Sequence, residues 1–227
     1  MQTALAYRAK STDYDRTVSE RTYTALEADT LIATALLDED EVIPDADRSG
    51  RLTVIRTITG HRSPLDTEPR TLRRIIRLEP ARAPRRLTPR QYEDLLMILA
   101  QDERGGGTLV DGRIRAGVAS IPPAAAARLL EHGWLAVEPG DVVAVSYAGR
   151  VAMTLHEHQA ATGYMGTDKW VVDAFGVGGW QIGPGLFLSR CSCGYRSPSR
   201  FDDRVMAQGE SRRHRLEHLR SAFDLTV

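Results

Sequence analysis

The only two cysteines of the chain are separated by a single residue, and two of its six histidines follow after a further twenty residues. The segment that contains them is CSCGYRSPSRFDDRVMAQGESRRHRLEHL, with Cys191 and Cys193 at its start and His214 and His218 near its end. Two cysteines this close are poorly placed for a structural disulfide, and in a reducing compartment they are more often metal ligands or two plain thiols. These four side chains constrain the fold most, since one bound ion would hold both ends of the segment together.

The residues around the four side chains predict a hairpin followed by a helix. LFLSRCSCGYRS has the pattern of a strand, a tight turn at the cysteines and a second strand, and the residues from Phe201 onward have helical spacing. On that helix His214 and His218 are four residues apart and project from one side. The opposite side carries the apolar residues Val205, Leu216, Leu219 and Phe223. We therefore expect the helix to pack through its apolar side and to point both histidines at the cysteine turn.

Zinc prefers four thiolate or neutral imidazole ligands in a tetrahedron, and this segment supplies such a set. The predicted ligands are Cys191, Cys193, His214 and His218. We predict one structural Zn²⁺ at this place, and the alternative is two reduced thiols beside two solvated histidines. The segment resembles a variant zinc finger and is similar to small C-x-C-G modules of proteins from high-GC bacteria. The resemblance implies a ββα module over residues 187–227.

A second pair of histidines, His156 and His158, lies in the sequence LHEHQ. This pair is a weaker candidate for metal binding, because side chains at positions i and i+2 of a helix diverge. We expect both to be solvated residues at the end of a helix.

The rest of the chain predicts an α+β protein built from several units. Residues 1–82 predict an α+β unit, with a helix in SERTYTALEADTLIATALL capped by Ser19 and strands in TALAYRA, RLTVIRTIT and RTLRRIIRLEP. Residues 87–160 predict a helix, an uncertain link, a second helix, a hairpin with a Pro-Gly turn and a third helix. Residues 161–186 are rich in glycine and predict a linking loop with local packing on Trp170 and Trp180.

The middle unit contains ARLLEHGWLAV and VSYAGRVAM, which resemble the end of a recognition helix with its wing strands in winged-helix (helix-turn-helix) domains of bacterial regulators. The resemblance implies that the helix from Pro122 to His132 lies in a major groove, with Arg113, Arg115 and Arg128 as the strongest contributors. The exposed front of that helix is alanine, from Ala124 to Ala127, where base recognition needs long polar side chains. A winged helix used for packing or dimerisation is therefore the alternative.

Charge is balanced over the whole chain but unevenly placed, with 30 basic and 30 acidic residues. Residues 26–47 contain eight acidic residues and no basic one, whereas residues 68–90 contain eight arginines and two glutamates. Codon bias in a high-GC genome also produces arginine in place of lysine, so only clustering carries information. The C-terminal segment is arginine-rich as well, and its predicted phosphate contacts are Arg196, Arg212, Arg213 and Arg215.

These features together predict a DNA-binding protein, either a regulator or an accessory factor of DNA maintenance. Double-stranded DNA is the expected partner, and the alternative is a scaffold that binds a protein partner or itself. We expect no enzymatic activity, because the carboxylates are scattered and form no motif with catalytic mechanics. No run of about 18 apolar residues and no N-terminal signal pattern occurs, so we expect a cytoplasmic protein without a membrane partner. The sequence identifies no small-molecule substrate.

Overall fold

The computed structural model describes most of the chain, and the following statements concern that part. The described residues are 5–13, 16–44, 51–60, 70–81, 86–101, 106–159, 161–165, 169–172, 178–181 and 186–221. Within them are five helices, two five-stranded antiparallel sheets and two two-stranded antiparallel sheets. The α+β class expected from the sequence is confirmed.

The first sheet is built from residues 5–80 and is covered on one face by a helix. Its strands are β1 (Leu5–Asp13), β2 (Arg16–Thr24), β3 (Glu41–Pro44), β4 (Leu52–Gly60) and β5 (Arg70–Pro80), in the spatial order β2-β1-β5-β4-β3. Helix α1 (Ala25–Leu37) buries Ala28, Ile32 and Ala35 in the same core as Leu52 and Leu78 of the sheet. The helix thus contributes one apolar stripe and the sheet one apolar face.

Helix α1 begins later than the sequence predicts. Thr24, and not Ser19, is the N-cap: its hydroxyl accepts from the Glu27 amide at 3.2 Å, and the Glu27 carboxylate accepts from the Thr24 amide at 2.8 Å. Residues 16–24 instead form strand β2, which pairs with β1. The sequence predicts too early a start because Tyr23, which belongs to β2, fits the helical spacing and also packs against the core. Strand β3 was also missed by the sequence analysis, because it is only four residues long.

The second sheet lies among three helices. The elements are α2 (Pro89–Leu99), β6 (Gly107–Val110), β7 (Arg113–Ala116), β8 (Ala119–Ile121), α3 (Pro123–Glu131), β9 (Leu135–Glu138), β10 (Val142–Val145) and α4 (Tyr147–Glu157), with sheet order β8-β7-β6-β10-β9. The predicted order of helix, link, helix, hairpin and helix is confirmed. The uncertain link is a three-stranded meander, so α3 directly follows a strand.

Helix α4 belongs to both hydrophobic cores. Tyr147 and Val151 pack in the first core with Ile32, whereas Met153 packs in the second core with Leu95. The start of α4 is also bonded to α1, because the Tyr147 amide donates to the Asp29 carboxylate at 3.1 Å. Burial raises the pKa of the Asp29 carboxyl to about 7. Helix α4 therefore fixes the first sheet and the second sheet relative to each other.

The C-terminal part contains strands where the sequence predicts a loop. Strand β11 (Ala161–Met165) pairs with β14 (Leu186–Arg190), and β12 (Lys169–Val172) pairs with β13 (Gly178–Gln181), with Trp170 opposite Trp180. Within the described part of residues 161–186, short strands replace the loop that the glycine content predicts, and the remaining residues of this range lie outside the described part. After β14 the chain runs back through two isolated bridges rather than a regular strand, and helix α5 (Arg204–Ser221) follows.

None of the helices in the described part of the chain combines the length and the apolar composition that crossing a membrane requires.

Gly149 of α4 allows a close approach that no other residue permits. A Cβ at this position would lie 2.2 Å from the carbonyl oxygen of Trp134, which is backbone and cannot swing away. Gly149→Ala should therefore lower the free energy of unfolding by about 1–3 kcal/mol, measured by urea denaturation. Gly209→Ala in α5 is the matched control, because a Cβ there meets no atom within 4 Å. It should raise stability by about 0.5–1 kcal/mol, and equal effects of the two substitutions would contradict this description of α4.

Candidate metal centre

The two cysteines lie in a tight turn directly after β14. The Gly194 amide donates to the Cys191 carbonyl at 3.0 Å, and the Cys191 amide donates to the Tyr195 carbonyl at 2.9 Å. Gly194 closes the turn with a φ of +93°, a conformation that favours glycine. Cys191 is buried and Cys193 is exposed.

Ser192, between the two cysteines, attaches this turn to the end of α4. Its hydroxyl donates to the Glu157 carbonyl and accepts from the Gln159 amide at 2.9 Å. His158 is the C-cap residue of α4 and lies between these two partners in sequence. The two hydrogen bonds therefore hold His158 beside the cysteine turn.

Helix α5 approaches β14 through small side chains. Ala207 and Ser211 are buried, and the hydroxyl oxygens of Ser211 and Ser189 lie 2.6 Å apart. The next turn of the same side of α5 presents His214, which is only 4% exposed. The small residues thus bring the helix close enough for His214 to reach the cysteines.

The sequence predicts that α5 packs through its apolar side and points its histidines at the cysteine turn, and the structure confirms each expectation in part. Val205 is 68% exposed, whereas His214 lies in the buried interface. Leu219 is fully buried and belongs to the core of the first sheet, Leu216 is partly exposed, and Phe223 lies outside the described residues. The helical wheel was correct that the histidines and the apolar residues are on different sides. Packing through Leu219 is confirmed and packing through Val205 is not, because the cysteine turn and two small residues form most of the interface.

Four potential metal ligands converge at this place. They are His158, Cys191, Cys193 and His214, and their ligand atoms all lie within 4.8 Å of one another. Cys193 Sγ is 3.4 Å from His214 Nε2, and Cys191 Sγ is 3.9 Å from His158 Nδ1. A tetrahedron with metal–sulfur bonds of about 2.3 Å and metal–nitrogen bonds of about 2.0 Å has edges of about 3.3–3.8 Å. The four side chains therefore lie close enough to bind a metal ion.

Three of the four ligands predicted from the sequence are in this cluster, and His158 takes the place predicted for His218. The His218 ring stacks on the His158 ring, with centroids 3.6 Å apart. His158 was expected to be solvated, and so was His156, which instead stacks on Tyr92 of α2. The sequence signal for His158 was present in LHEHQ. The i, i+2 spacing of His156 and His158 argues against a shared site only if both residues are helical. Because α4 ends at Glu157, His158 does not follow the helical geometry.

The environment of the histidines favours neutral imidazole. Burial, followed by the nearby His218 and His158 rings, lowers the pKa of His214. Burial and then His218 lower the pKa of His158. Burial raises the pKa of the Cys191 thiol, a tendency that a bound cation reverses. Neutral imidazoles have a free lone pair, which is the form that binds metal.

Tyr195 and two charged residues of α5 support His214. The Tyr195 ring stacks on the His214 ring with centroids 4.1 Å apart, and its hydroxyl donates to the Glu210 carboxylate. Arg213 also donates to Glu210, at 2.7 Å. Such contacts around a ligand fix its ring orientation.

The arginines predicted to contact DNA come from several elements of the fold. Arg113 and Arg115 are exposed and flank Ile114 of β7, whose side chain is in the second core, so they point to the other face of the sheet. Arg128 is exposed on α3, which packs into that same core.

The C-terminal arginines also differ among themselves. Arg196 and Arg212 are exposed, Arg213 is paired with Glu210 and Glu217, and Arg215 is 9% exposed. Arg215 therefore offers little surface to a phosphate, because its side chain is packed within the interface of α5.

No protein family, curated protein or solved structure was found to match this chain.

The sequence predicts His218 as the fourth ligand, whereas the structure places His158 in the cluster. Metal retention in single variants distinguishes the two ligand sets. His158→Ala should reduce bound metal in the purified protein from about one ion per chain to a small fraction, because a three-ligand site is open and weaker. His218→Ala should keep about one ion per chain, measured by inductively coupled plasma mass spectrometry. His156→Ala is the matched control on the same helix end. Loss of the ion in His218→Ala with retention in His158→Ala would restore the ligand set predicted from the sequence.

Proposed function

We propose that this chain binds one structural Zn²⁺ through His158, Cys191, Cys193 and His214, and that the ion holds α5 and the cysteine turn against α4. The observation that carries this proposal is the convergence of the four ligand atoms within 4.8 Å. Two thiolates and two imidazoles are a donor set that zinc favours over magnesium or calcium. Two thiolate charges also neutralise one Zn²⁺, which suits a partly buried site.

The composition of α5 gives the proposed ion a physical role. Of its buried residues, only Ala207 and Leu219 are apolar, while Val205 and Met206 are exposed. Burial of one leucine contributes about 1.5–3 kcal/mol, which is little for docking a helix of this length. Structural zinc contributes an apparent binding free energy of about 10–16 kcal/mol in small zinc modules. The proposed ion would therefore supply most of the free energy that docks α5.

A site with four protein ligands has no open position for a substrate, so we infer a structural and non-catalytic role. We propose that the stabilised protein binds double-stranded DNA as a regulator or accessory factor. Exposed Arg113 and Arg115 of β7, and exposed Arg196 and Arg212 of the C-terminal part, support this proposal, since such side chains contact phosphates without specifying sequence. The hairpin β9–β10 and the helix α3 fit the proposed resemblance to a winged helix.

The scaffold function remains the second candidate because of α3. Its exposed residues include Ala124 and Ala127, which offer no hydrogen bonds to base edges but suit close packing against another protein. In addition, α3 follows strand β8 rather than a second helix, so the described residues place a meander where a helix-turn-helix has its first helix.

Binding of a labelled duplex of mixed sequence separates the two candidates. The wild type should bind at 50 mM salt and release as salt rises, because phosphate contacts displace counterions. A variant with Arg113→Gln, Arg115→Gln, Arg196→Gln and Arg212→Gln should bind more weakly with every duplex sequence, measured by fluorescence anisotropy.

The paired variant Ala124→Glu, Ala127→Glu is the control for self-association through α3. It should leave the mass by light scattering nearly unchanged if DNA is the partner. A wild-type protein that binds no duplex, and an oligomer that dissociates in this variant, would favour the scaffold function instead.

A further inference from the structure

We propose that the outer face of the first sheet, which faces away from α1, is the main surface of this protein for the phosphate backbone of duplex DNA. This inference rests on the proposed DNA-binding function and names the surface that performs it. The surface is defined here by four cations on neighbouring strands, which we call the sheet cations. They are Arg8 and Lys10 of β1 and Arg73 and Arg77 of β5.

The alternation of side chains along the strands places these cations on one face. Tyr7 and Ala9 of β1, and Ile76 and Leu78 of β5, are buried in the core with α1. Successive side chains of a strand point to opposite faces, so the sheet cations point away from that core. All four are exposed.

The register brings the sheet cations together across β1 and β5. Lys10 is directly opposite Arg77, and Arg8 is two residues further along the same strand. Like charges directly opposite each other in a sheet are destabilising, so this pair costs stability unless an anion neutralises it. Arg8, Lys10 and Arg77 also line an open groove of about 660 Å³, together with Arg21 and with Glu20 and Glu79. Opposed cations in an open groove can bind an extended anion.

Two acidic residues, Glu20 and Glu79, lie beside the sheet cations and offset part of their charge. Glu79 lies opposite Arg8, but its carboxylate is 3.6 Å from the guanidinium of Arg51. Glu20 lies opposite Lys10 at the far edge of the sheet without an ion pair between them. In the described part of the chain, no ion pair or hydrogen bond of the four cationic side chains is found. The four cations outnumber these two carboxylates, so a net positive charge is available to a partner.

The dimensions and composition of this face favour the backbone of a duplex. Arg73 and Arg77 are four residues apart on β5, which is a distance of about 13 Å. That length corresponds to about four phosphates of one DNA strand along the helix axis, at about 3.4 Å each. The described residues of the outer face include no aromatic side chain, so the stacking on which single-strand binding depends is missing.

This surface also accounts for a sequence feature that the metal centre leaves unexplained. Residues 68–90 hold eight arginines and two glutamates. Strand β5 comes from this cluster and presents Arg73 and Arg77 on its outer face. The arginine cluster is thus placed, in part, on a single exposed surface of the first sheet.

The test compares two variants that lose the same charge. The first carries Arg8→Gln, Lys10→Gln, Arg73→Gln and Arg77→Gln. The control carries Arg86→Gln, Arg200→Gln, Arg204→Gln and Arg220→Gln, four exposed arginines away from this face. Each full-length protein is titrated with a labelled 20-base-pair duplex between 50 and 200 mM salt. The slope of the logarithm of the binding constant against the logarithm of salt should become less steep by about 3–4 in the first variant and by less than about 1 in the control.

The possible outcomes distinguish the proposed sheet surface from DNA binding in general. Equal slopes in the two variants, with a wild type that binds, would overturn the sheet surface while leaving DNA binding intact. A wild type that does not bind at 50 mM salt overturns both proposals. Should the four-site variant fail to fold, Lys10→Gln with Arg77→Gln is the second test. This pair relieves the opposed charges, so it should unfold at a higher urea concentration than the wild type and reduce the slope by about 2; an unchanged slope would contradict the proposal.

Discussion

The convergence of four ligand side chains at the end of α4 is the constraint on which the C-terminal part depends. His158 comes from a helix end, the cysteines from a turn, and His214 from α5, so one ion would connect three segments that are remote in sequence. Ser192 adds two hydrogen bonds from the turn to the same helix end. Because α5 buries few apolar side chains, these polar contacts and the proposed ion determine how it docks.

Helix α4 extends this constraint to the rest of the molecule. Its residues pack in both cores, its first amide is bonded to Asp29 of α1, and its last turn leads into the metal centre. The approach of Gly149 to the Trp134 carbonyl sets the position of the helix on the second sheet. A change at the metal centre would therefore affect α4, which packs against both sheets. Through α4, a structural ion can stabilise surfaces that lie far from it.

The sequence predicted most of the helices and the metal-binding character of the Cys-His segment, but not the geometry of the site. Periodicity located α2 because its apolar residues face one core. It placed the start of α1 too early, at Ser19, because Tyr23 of strand β2 fits the same spacing. His158 was missed because its role depends on where α4 ends and on the tertiary contact made by Ser192. Val205 was expected to pack and is exposed, because small residues and ligands form most of the interface of α5, with Leu219 as its one large buried apolar side chain. The local spacing of residues contains neither the contact made by Ser192 nor the packing of α5.

X-ray absorption spectroscopy of the zinc-loaded wild-type protein tests the central claim most directly. The account predicts two sulfur neighbours at about 2.3 Å and two imidazole nitrogens at about 2.0–2.1 Å, with one zinc ion per chain. The imidazole signal should fall to one ring in His158→Ala and stay at two rings in His218→Ala. A shell of oxygen neighbours without sulfur, or a stably folded wild type that takes up no zinc, would contradict the claim that this cluster is a closed structural zinc centre.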